Sequence, residues 1–243
     1  MKHLIVVLGW LLAHPPAHGV ADFDSRMLAA GEPYYPRLQD AFDVAWPDAP
    51  MRSAVAAQIE KESRWNPNAE LCVPKPGCTR ERGLGLGQFT ITPRFNVFTE
   101  VSRMHARLAP WPPEKYKDPS MQLLGVVVKA RGHYKQCAPL MTMKVDAMAC
   151  AASSYNGGFG GFLADRRICG NTKGCDPTKW FGHVAEYSTK AKQPLPGYGQ
   201  SFYQISRQYS YGAVCEWRLK YVSVLGVRGS EDLPIPSSSC RRP

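Results

Sequence analysis

No apolar run in the 243-residue chain approaches the roughly 20 residues that a membrane-spanning helix needs. Leu4 to Ala13 reaches about half of that length, and a mean hydropathy of −0.31 excludes a bundle of membrane spans. Acidic side chains are few beside basic ones, 20 against 30, which leaves a formal charge of +10. The Lys and Arg residues are scattered and accompany no recognition motif, so nucleic acid is not the expected partner. The sequence has no Cys-x-x-Cys, and His105, His133 and His183 stand at no ligand spacing from the cysteines, so no metal site is expected. Sustained alternation of apolar and polar residues is missing, and so is any internal repeat; neither a large sheet nor a repeat architecture is expected.

What is present describes an exported globule. Hydrophobic residues at 44% and aromatic residues at 11% can build a core, while 21 Gly and 21 Pro indicate a loop-rich fold. Lys2 and His3 followed by the apolar run, then Pro15, Pro16 and small residues, read as a secretory signal over residues 1–21. Cleavage after Gly19 or Ala21 fits, with Ala21 preferred, and no stable membrane span is expected afterwards. The eight cysteines all follow that signal, an even number suited to an oxidising compartment such as the periplasm or cell envelope. Eight cysteines allow roughly 105 pairings. A local scheme joins Cys72 to Cys78 and Cys169 to Cys175 across short Pro- or Gly-containing loops, with Cys137–Cys150 and Cys215–Cys240 completing it; the sequence alone does not exclude others.

The fold should be mainly helical. A lead-in over 22–50 contains Pro33, Pro36 and Pro47 and has room for one short helix, Leu38 to Trp46. The first strong helix spans Met51 to Arg64, with Asp48 as cap, Pro50 at its first position and Asn66-Pro67 as its stop. A second helix opens at Asp118-Pro119 and a third runs from Lys144 to Tyr155, while Gly83 to Gly87 and Gly157 to Gly161 read as turns. Residues 210–243 turn Ser/Pro/Arg-rich and read as a tail clipped on by Cys215 or Cys240.

On the first helix, at about 100° per residue, Glu62 falls among Met51, Val55 and Ile59, whereas Glu60 falls on the opposite side. Glu60 is therefore expected in solvent. A carboxyl on the apolar arc must be neutral, paired or functional, and burial at the negative end of a helix favours its protonated form, the condition for a general acid.

Glu62-Ser63, then Gly83-Leu84-Gly85-Leu86-Gly87-Gln88, then Ser154-Tyr155-Asn156-Gly157-Gly158 together resemble the motifs of the soluble lytic transglycosylases. These are Glu-Ser at a helix end, Gly-Leu-Met-Gln, Ala-Tyr-Asn-Ala-Gly and a late tyrosine, in the same order. The resemblance covers about residues 51 to 205. It implies a goose-lysozyme-like α+β fold, mainly helical, over 51–209, with loop insertions stapled by disulfides. It also implies peptidoglycan strands as substrate, no cofactor, and Glu62 as single acid and base. Ser63 would orient the substrate or the carboxyl, Gln88 would line the cleft, Tyr155 would approach the acid and Asn156 would contact sugar. Tyr203 is the choice for the late tyrosine, with Tyr198 and Tyr209 as alternatives, because the usual Glu-Thr-Arg context is missing. Two further departures are Gly87, where the family has Met, and an apparent insertion from Cys72 to Arg82.

Glycosidases of the usual kind need two carboxylates. A hydrolytic muramidase is thus the nearest rival, with Glu70, Glu81 or Asp165 as its second carboxylate. A non-catalytic wall-binding component of a secretion or conjugation apparatus is the rival from another class. Compact size and short flanks suggest an enzyme that opens the wall locally for such an envelope-spanning machine.

Overall fold

A computed structural model describes residues 17–73, 77–109, 111–194, 200–225 and 240. Most of the expected export signal, residues 1–16, lies outside the described residues, as does Tyr198. The lead-in is more ordered than its prolines suggest. Helix α1 (Ala17–Gly31) runs across the expected cleavage point, and a 3-10 turn at Glu32–Tyr34 leads into α2 (Tyr35–Ala45). Pro33 and Pro36 stand at the first positions of these two segments, where a missing N–H costs nothing, so they start structure rather than break it.

Helix α3 (Arg52–Ser63) begins one residue later than expected. Met51 stays extended and no side chain caps the helix; neither Asp48 nor Pro50 has the expected part. Arg52 instead folds back on the preceding turn, reaching the Pro47 carbonyl and the Asp43 carboxylate, each at 3.0 Å. Every residue of α3 except Lys61 is buried, so the helix has no solvent face and the expectation for Glu60 fails: it is only 6% exposed. After Ser63 the chain turns sharply, with Arg64 and Trp65 both left-handed at φ 53° and 62° and the Arg64 N–H bonded to the Glu60 carbonyl at 2.7 Å.

Four short antiparallel strands follow in the order of the chain: β1 (Glu70–Val73), β2 (Glu81–Leu84), β3 (Phe89–Thr92) and β4 (Phe95–Asn96). Glu70 faces Leu84 and Val73 faces Glu81 across the first pair, and Leu84 faces Phe89 across the second. The apparent insertion, Cys72 to Arg82, takes in the end of β1 and the start of β2, with Cys72–Cys78 joining its two sides; residues 74–76 lie outside the described residues. Beneath the sheet, Phe89, Phe98 and Trp111 pack with ring centroids 4.8 to 5.4 Å apart.

The remaining helices form the body. Helix α4 (Val97–Met104) is capped by the Asn96 side chain, and α5 (Pro119–Cys137) by Asp118, with Pro119 at its first position as the sequence predicts. Helix α6 (Lys144–Gly157) also matches its expectation and packs along α5, while α2 covers another side of α5. Gly158, at φ +78°, makes the bend between α6 and α7 (Phe159–Gly170), so the second glycine cluster opens a helix that the sequence reading treats as a turn. Helix α8 (Phe202–Tyr211) starts at a Ser201/Gln204 capping box. It continues through a π-helical segment (Gly212–Glu216), a 3-10 segment (Trp217–Tyr221) and α9 (Val222–Leu225).

Residue 210 is therefore no boundary between domain and tail. Ala213, Val214 and Tyr221 are fully buried, and the 3-10 segment packs on α3. The sulfurs are paired as Cys72–Cys78, Cys137–Cys150, Cys169–Cys175 and Cys215–Cys240, the local scheme. The result is a mainly helical single domain with a small antiparallel sheet and four disulfides, which point to an oxidising, extracytoplasmic environment. Among the described residues no helix is long and apolar enough to cross a membrane.

Candidate functional site

Two glutamates near the end of α3 are both buried and differ in their partners. Glu60 is satisfied at both oxygens: Lys220 Nζ lies 3.0 Å from Oε1, and the Tyr221 hydroxyl donates to Oε2. Tyr221 also accepts a 2.9 Å bond from Trp65 Nε1, and Trp65 packs against Tyr34, Tyr35 and Tyr221. The lead-in and the C-terminal segment thus close together over the turn that follows the Glu-Ser pair. Glu60 is a brace within this closure.

Glu62, 3% exposed, is half satisfied. The Tyr209 hydroxyl on α8 donates to Oε1 at 2.6 Å, whereas Oε2 is buried with no hydrogen-bond partner. Burial pushes the Glu62 carboxyl up from the ordinary 4.5 to about 7, against the opposing influences of the Tyr209 bond, then Lys129, then Lys61. Since Tyr209 donates to Oε1, that oxygen is the carbonyl side of the neutral acid and the proton belongs on Oε2. An acid with its proton on the unengaged oxygen is set up to give it away.

Tyr155 on α6 approaches from another side. Its hydroxyl donates to the Gly87 carbonyl at 2.9 Å, and the ring lies beneath Lys129 Nζ at 4.0 Å. Burial first, and then the Glu62 charge, raise its proton affinity well above the ordinary tyrosine range, so it stays a neutral phenol. The Gly87 departure now has a steric reason. A Cβ there would come 2.7 Å from the Tyr155 hydroxyl and 2.5 Å from Val126, leaving no room for a methionine.

The other expected residues are arranged differently from one another. Asn156 sits beside Tyr155 in the last turn of α6, 7% exposed. Ser63 bonds backwards to the Ile59 carbonyl at 3.1 Å within its own helix. Gln88 is left-handed at φ 45°, and its amide donates to the Gly85 and Ala69 carbonyls at 3.0 and 3.3 Å, which fixes the β2–β3 turn. Tyr203 is not at the acid: its hydroxyl donates to the Ala185 carbonyl at 3.2 Å, and Lys192 and Arg207 lie over its ring. The tyrosine at Glu62 is Tyr209, six positions along, which the missing local context made indistinguishable from its neighbours in sequence.

Three contributors were not singled out from sequence. Gln58, one turn before Glu62, also bonds to the Tyr209 hydroxyl. Lys129 on α5 is 7% exposed, and its charge acts on both Glu100 and Glu62. His133, one turn further along α5, stands edge-on to Tyr155 and is pushed down to about 4 by burial and by Lys129. The available signal was a lone charged residue in the run Leu-Leu-Gly-Val-Val-Val-Lys-Ala.

Two of the three candidate second carboxylates are engaged elsewhere, while Glu81 has a buried oxygen, Oε1, without a hydrogen-bond partner. Asp165 is fully buried and bound by Arg207 at 2.6 Å, Glu70 is paired with Arg82 at 2.8 Å, and neither they nor Glu81 is among the groups acting on Glu62. Among the described residues, no group of three or more His, Cys, Asp and Glu side chains is placed to hold a metal ion. No protein-family model matches the chain, and no curated protein is similar enough to match it.

Proposed function

We propose that this chain is a peptidoglycan lytic transglycosylase with a goose-lysozyme-like catalytic domain, acting in the periplasm or cell envelope. The observation that carries this reading is the Glu62 carboxyl: buried, held at one oxygen by Tyr209, unpartnered at the other and poised near neutrality. The order of the Glu-Ser, Gly-Leu-Gly-Gln and Tyr-Asn-Gly motifs supports it, because each supplies one member of a connected group: Glu62 itself, Tyr155, on which the Glu62 charge acts, and Gly87, whose carbonyl holds the Tyr155 hydroxyl.

In this reading Glu62 donates its Oε2 proton to the oxygen linking N-acetylmuramic acid to N-acetylglucosamine, and the C1–O bond breaks with oxocarbenium character assisted by the substrate's acetamido group. The Glu62 carboxylate then takes the proton of the muramoyl 6-hydroxyl, whose oxygen closes on C1. The product ends in 1,6-anhydro-muramic acid, and no water is consumed. Tyr209 keeps Oε1 occupied through both transfers, so one oxygen does all the proton traffic. Because Oε2 is sealed from solvent, a glycan reaches it only when covering side chains move.

Two of the three candidate second carboxylates, Asp165 and Glu70, are paired elsewhere with Arg207 and Arg82, which favours this route over hydrolysis by two carboxylates. The net charge of +10 would concentrate the enzyme at an anionic mesh of stem-peptide carboxylates. Turbidity clearing of purified peptidoglycan tests the reading. Wild type clears it, Glu62→Gln loses at least the ~10² in rate that general acid catalysis supplies, and Glu60→Gln retains activity if it folds. A Glu62→Gln protein that clears at the wild-type rate removes the proposal. Wild-type protein that clears nothing would leave a wall-binding component as the reading.

A further inference from the structure

Lys129 is a buried lysine that nothing in the motif reading uses; burial pushes its proton affinity down from the ordinary lysine range, and the charges of Glu100 and then Glu62 oppose that and favour the ammonium. It lies on α5 in an otherwise apolar stretch, Leu123 to Ala130, of which every residue is buried. Lysine is almost never buried without a partner, and in this helix an apolar side chain would pack at lower cost. Its surroundings are those of a site rather than of a brace. The ammonium is 4.0 Å from the centre of the Tyr155 ring, whose hydroxyl is fixed on Gly87, and its charge acts on Glu100 of α4 and Glu62 of α3. Each of these carboxyls has one buried oxygen without a hydrogen-bond partner, Glu62 Oε2 and Glu100 Oε2, and so does the nearby His133 at Nε2. By contrast, the buried charges that brace this fold are bonded through short contacts, as in Arg207–Asp165 and Lys220–Glu60.

The geometry points to Lys129 as a positioning residue for Glu62: held over the Tyr155 ring and shared with Glu100, its ammonium is the countercharge that receives the Glu62 carboxylate once the proton has left. This rests on the reading of Glu62 as general acid and base. The O–H bond at Glu62 Oε2 breaks as an O–H bond forms on the departing sugar oxygen, leaving an anion at a buried carboxyl. Lys129 and Tyr209 are what stabilise that anion until the muramoyl hydroxyl returns a proton.

The charges facing this point are few. Lys61 and Glu62 come from α3, Glu100 from α4, Lys129 and His133 from α5, Tyr155 from α6 and Tyr209 from α8. His133, pushed down to about 4, is neutral at neutral pH, and both tyrosines are held protonated by burial. Lys129 is therefore the principal positive charge acting on Glu62, with Lys61 behind it. Removing it makes Glu62 hold its proton more tightly and donate it less readily.

The test reads Glu62 without substrate. Side-chain carboxyl carbons are labelled with ¹³C in all glutamates, the Glu62 resonance is assigned by its loss in Glu62→Gln, and its midpoint is followed by NMR across pH in wild type and Lys129→Met. The midpoint is expected to rise by about one unit or more, the lower end of what a nearby opposite charge produces, and to rise less in Lys61→Met. An unmoved midpoint in folded Lys129→Met overturns the proposal; if that variant does not fold, Lys129→Gln is read in the same way. Failure of both to fold at neutral pH overturns it in favour of a structural lysine. In peptidoglycan turnover, the alkaline limb of kcat in Lys129→Met moves to higher pH by the same amount. Wild type that clears no peptidoglycan, with the NMR midpoint still rising, sinks the catalytic reading and leaves the charge relation standing.

Discussion

Glu60 and Glu62 share a helix, a residue type and a burial class, and the partners of their oxygens separate them. Glu60 has a lysine and a tyrosine on its two oxygens, and Glu62 has a tyrosine on one. The cost of Glu62 should appear in stability. Its folded-state pKa is raised from the ordinary 4.5 to about 7, so the folded chain holds a proton that the unfolded chain has released between those values. Stability from this group is present below about 4.5 and is lost as pH rises toward 7, by up to ~3 kcal/mol at 1.36 kcal/mol per unit. Urea unfolding of Glu62→Gln at pH 8 is therefore expected to show more stability than wild type, with the difference shrinking toward pH 4. Less stability at both values would mean that the ionised carboxylate is structurally required. Tyr209→Phe removes a bond that lowers the Glu62 pKa, so the alkaline limb of the pH–rate profile should move upward, whereas Tyr203→Phe leaves it in place. Glu62 was legible in sequence because a carboxyl on an apolar arc is anomalous by itself. The companion tyrosine was not, since a tyrosine is at home in any core and only the path of α8 brings Tyr209 to the acid.

At the scale of elements, the β2–β3 turn, α5 and α6 form one unit around the Gly87 carbonyl. Gly87→Ala would push the turn off Tyr155 and Val126, and overpacking of this kind costs typically 1–3 kcal/mol. Because the displaced group is the Tyr155 hydroxyl, activity should fall together with Tm. Gly160→Ala is the control: nothing lies within 4 Å of a Cβ there and no positive φ is required, so Tm and turnover should both hold. Helices α5 and α6 were legible because Asp118-Pro119 is a strong start signal and an Ala-rich run has few alternatives. Helix α7 was obscured by its own opening, Gly157 to Gly161, since glycines signal turns unless neighbouring packing imposes a helix. Helix α1 was obscured because the same residues read as the end of an export signal.

Across the whole molecule, the ends of the described chain are part of the architecture. Tyr34 and Tyr35 from one end and Tyr221 from the other enclose Trp65, immediately after the Glu-Ser pair, and Cys215–Cys240 ties the C-terminal segment down. Replacing Cys215 and Cys240 by Ala should cost about 2–4 kcal/mol, measured by denaturant unfolding, and should loosen the cover over α3. Of the expected tail over 210–243, residues 226–239 and 241–243 lie outside the described residues, and in the described part Ala213, Val214 and Tyr221 are fully buried, a long-range contact that no local pattern encodes.

The central claim is that Glu62 works alone and that the muramoyl hydroxyl, not water, completes the reaction. Digestion of purified glycan strands in H₂¹⁸O, followed by mass spectrometry of the released fragments, tests it most directly. The account predicts fragments one water lighter than reducing sugars, ending in 1,6-anhydro-muramic acid and free of ¹⁸O, and none from Glu62→Gln. Reducing ends carrying ¹⁸O throughout would contradict it, because a water would then have been activated at C1 by a second group.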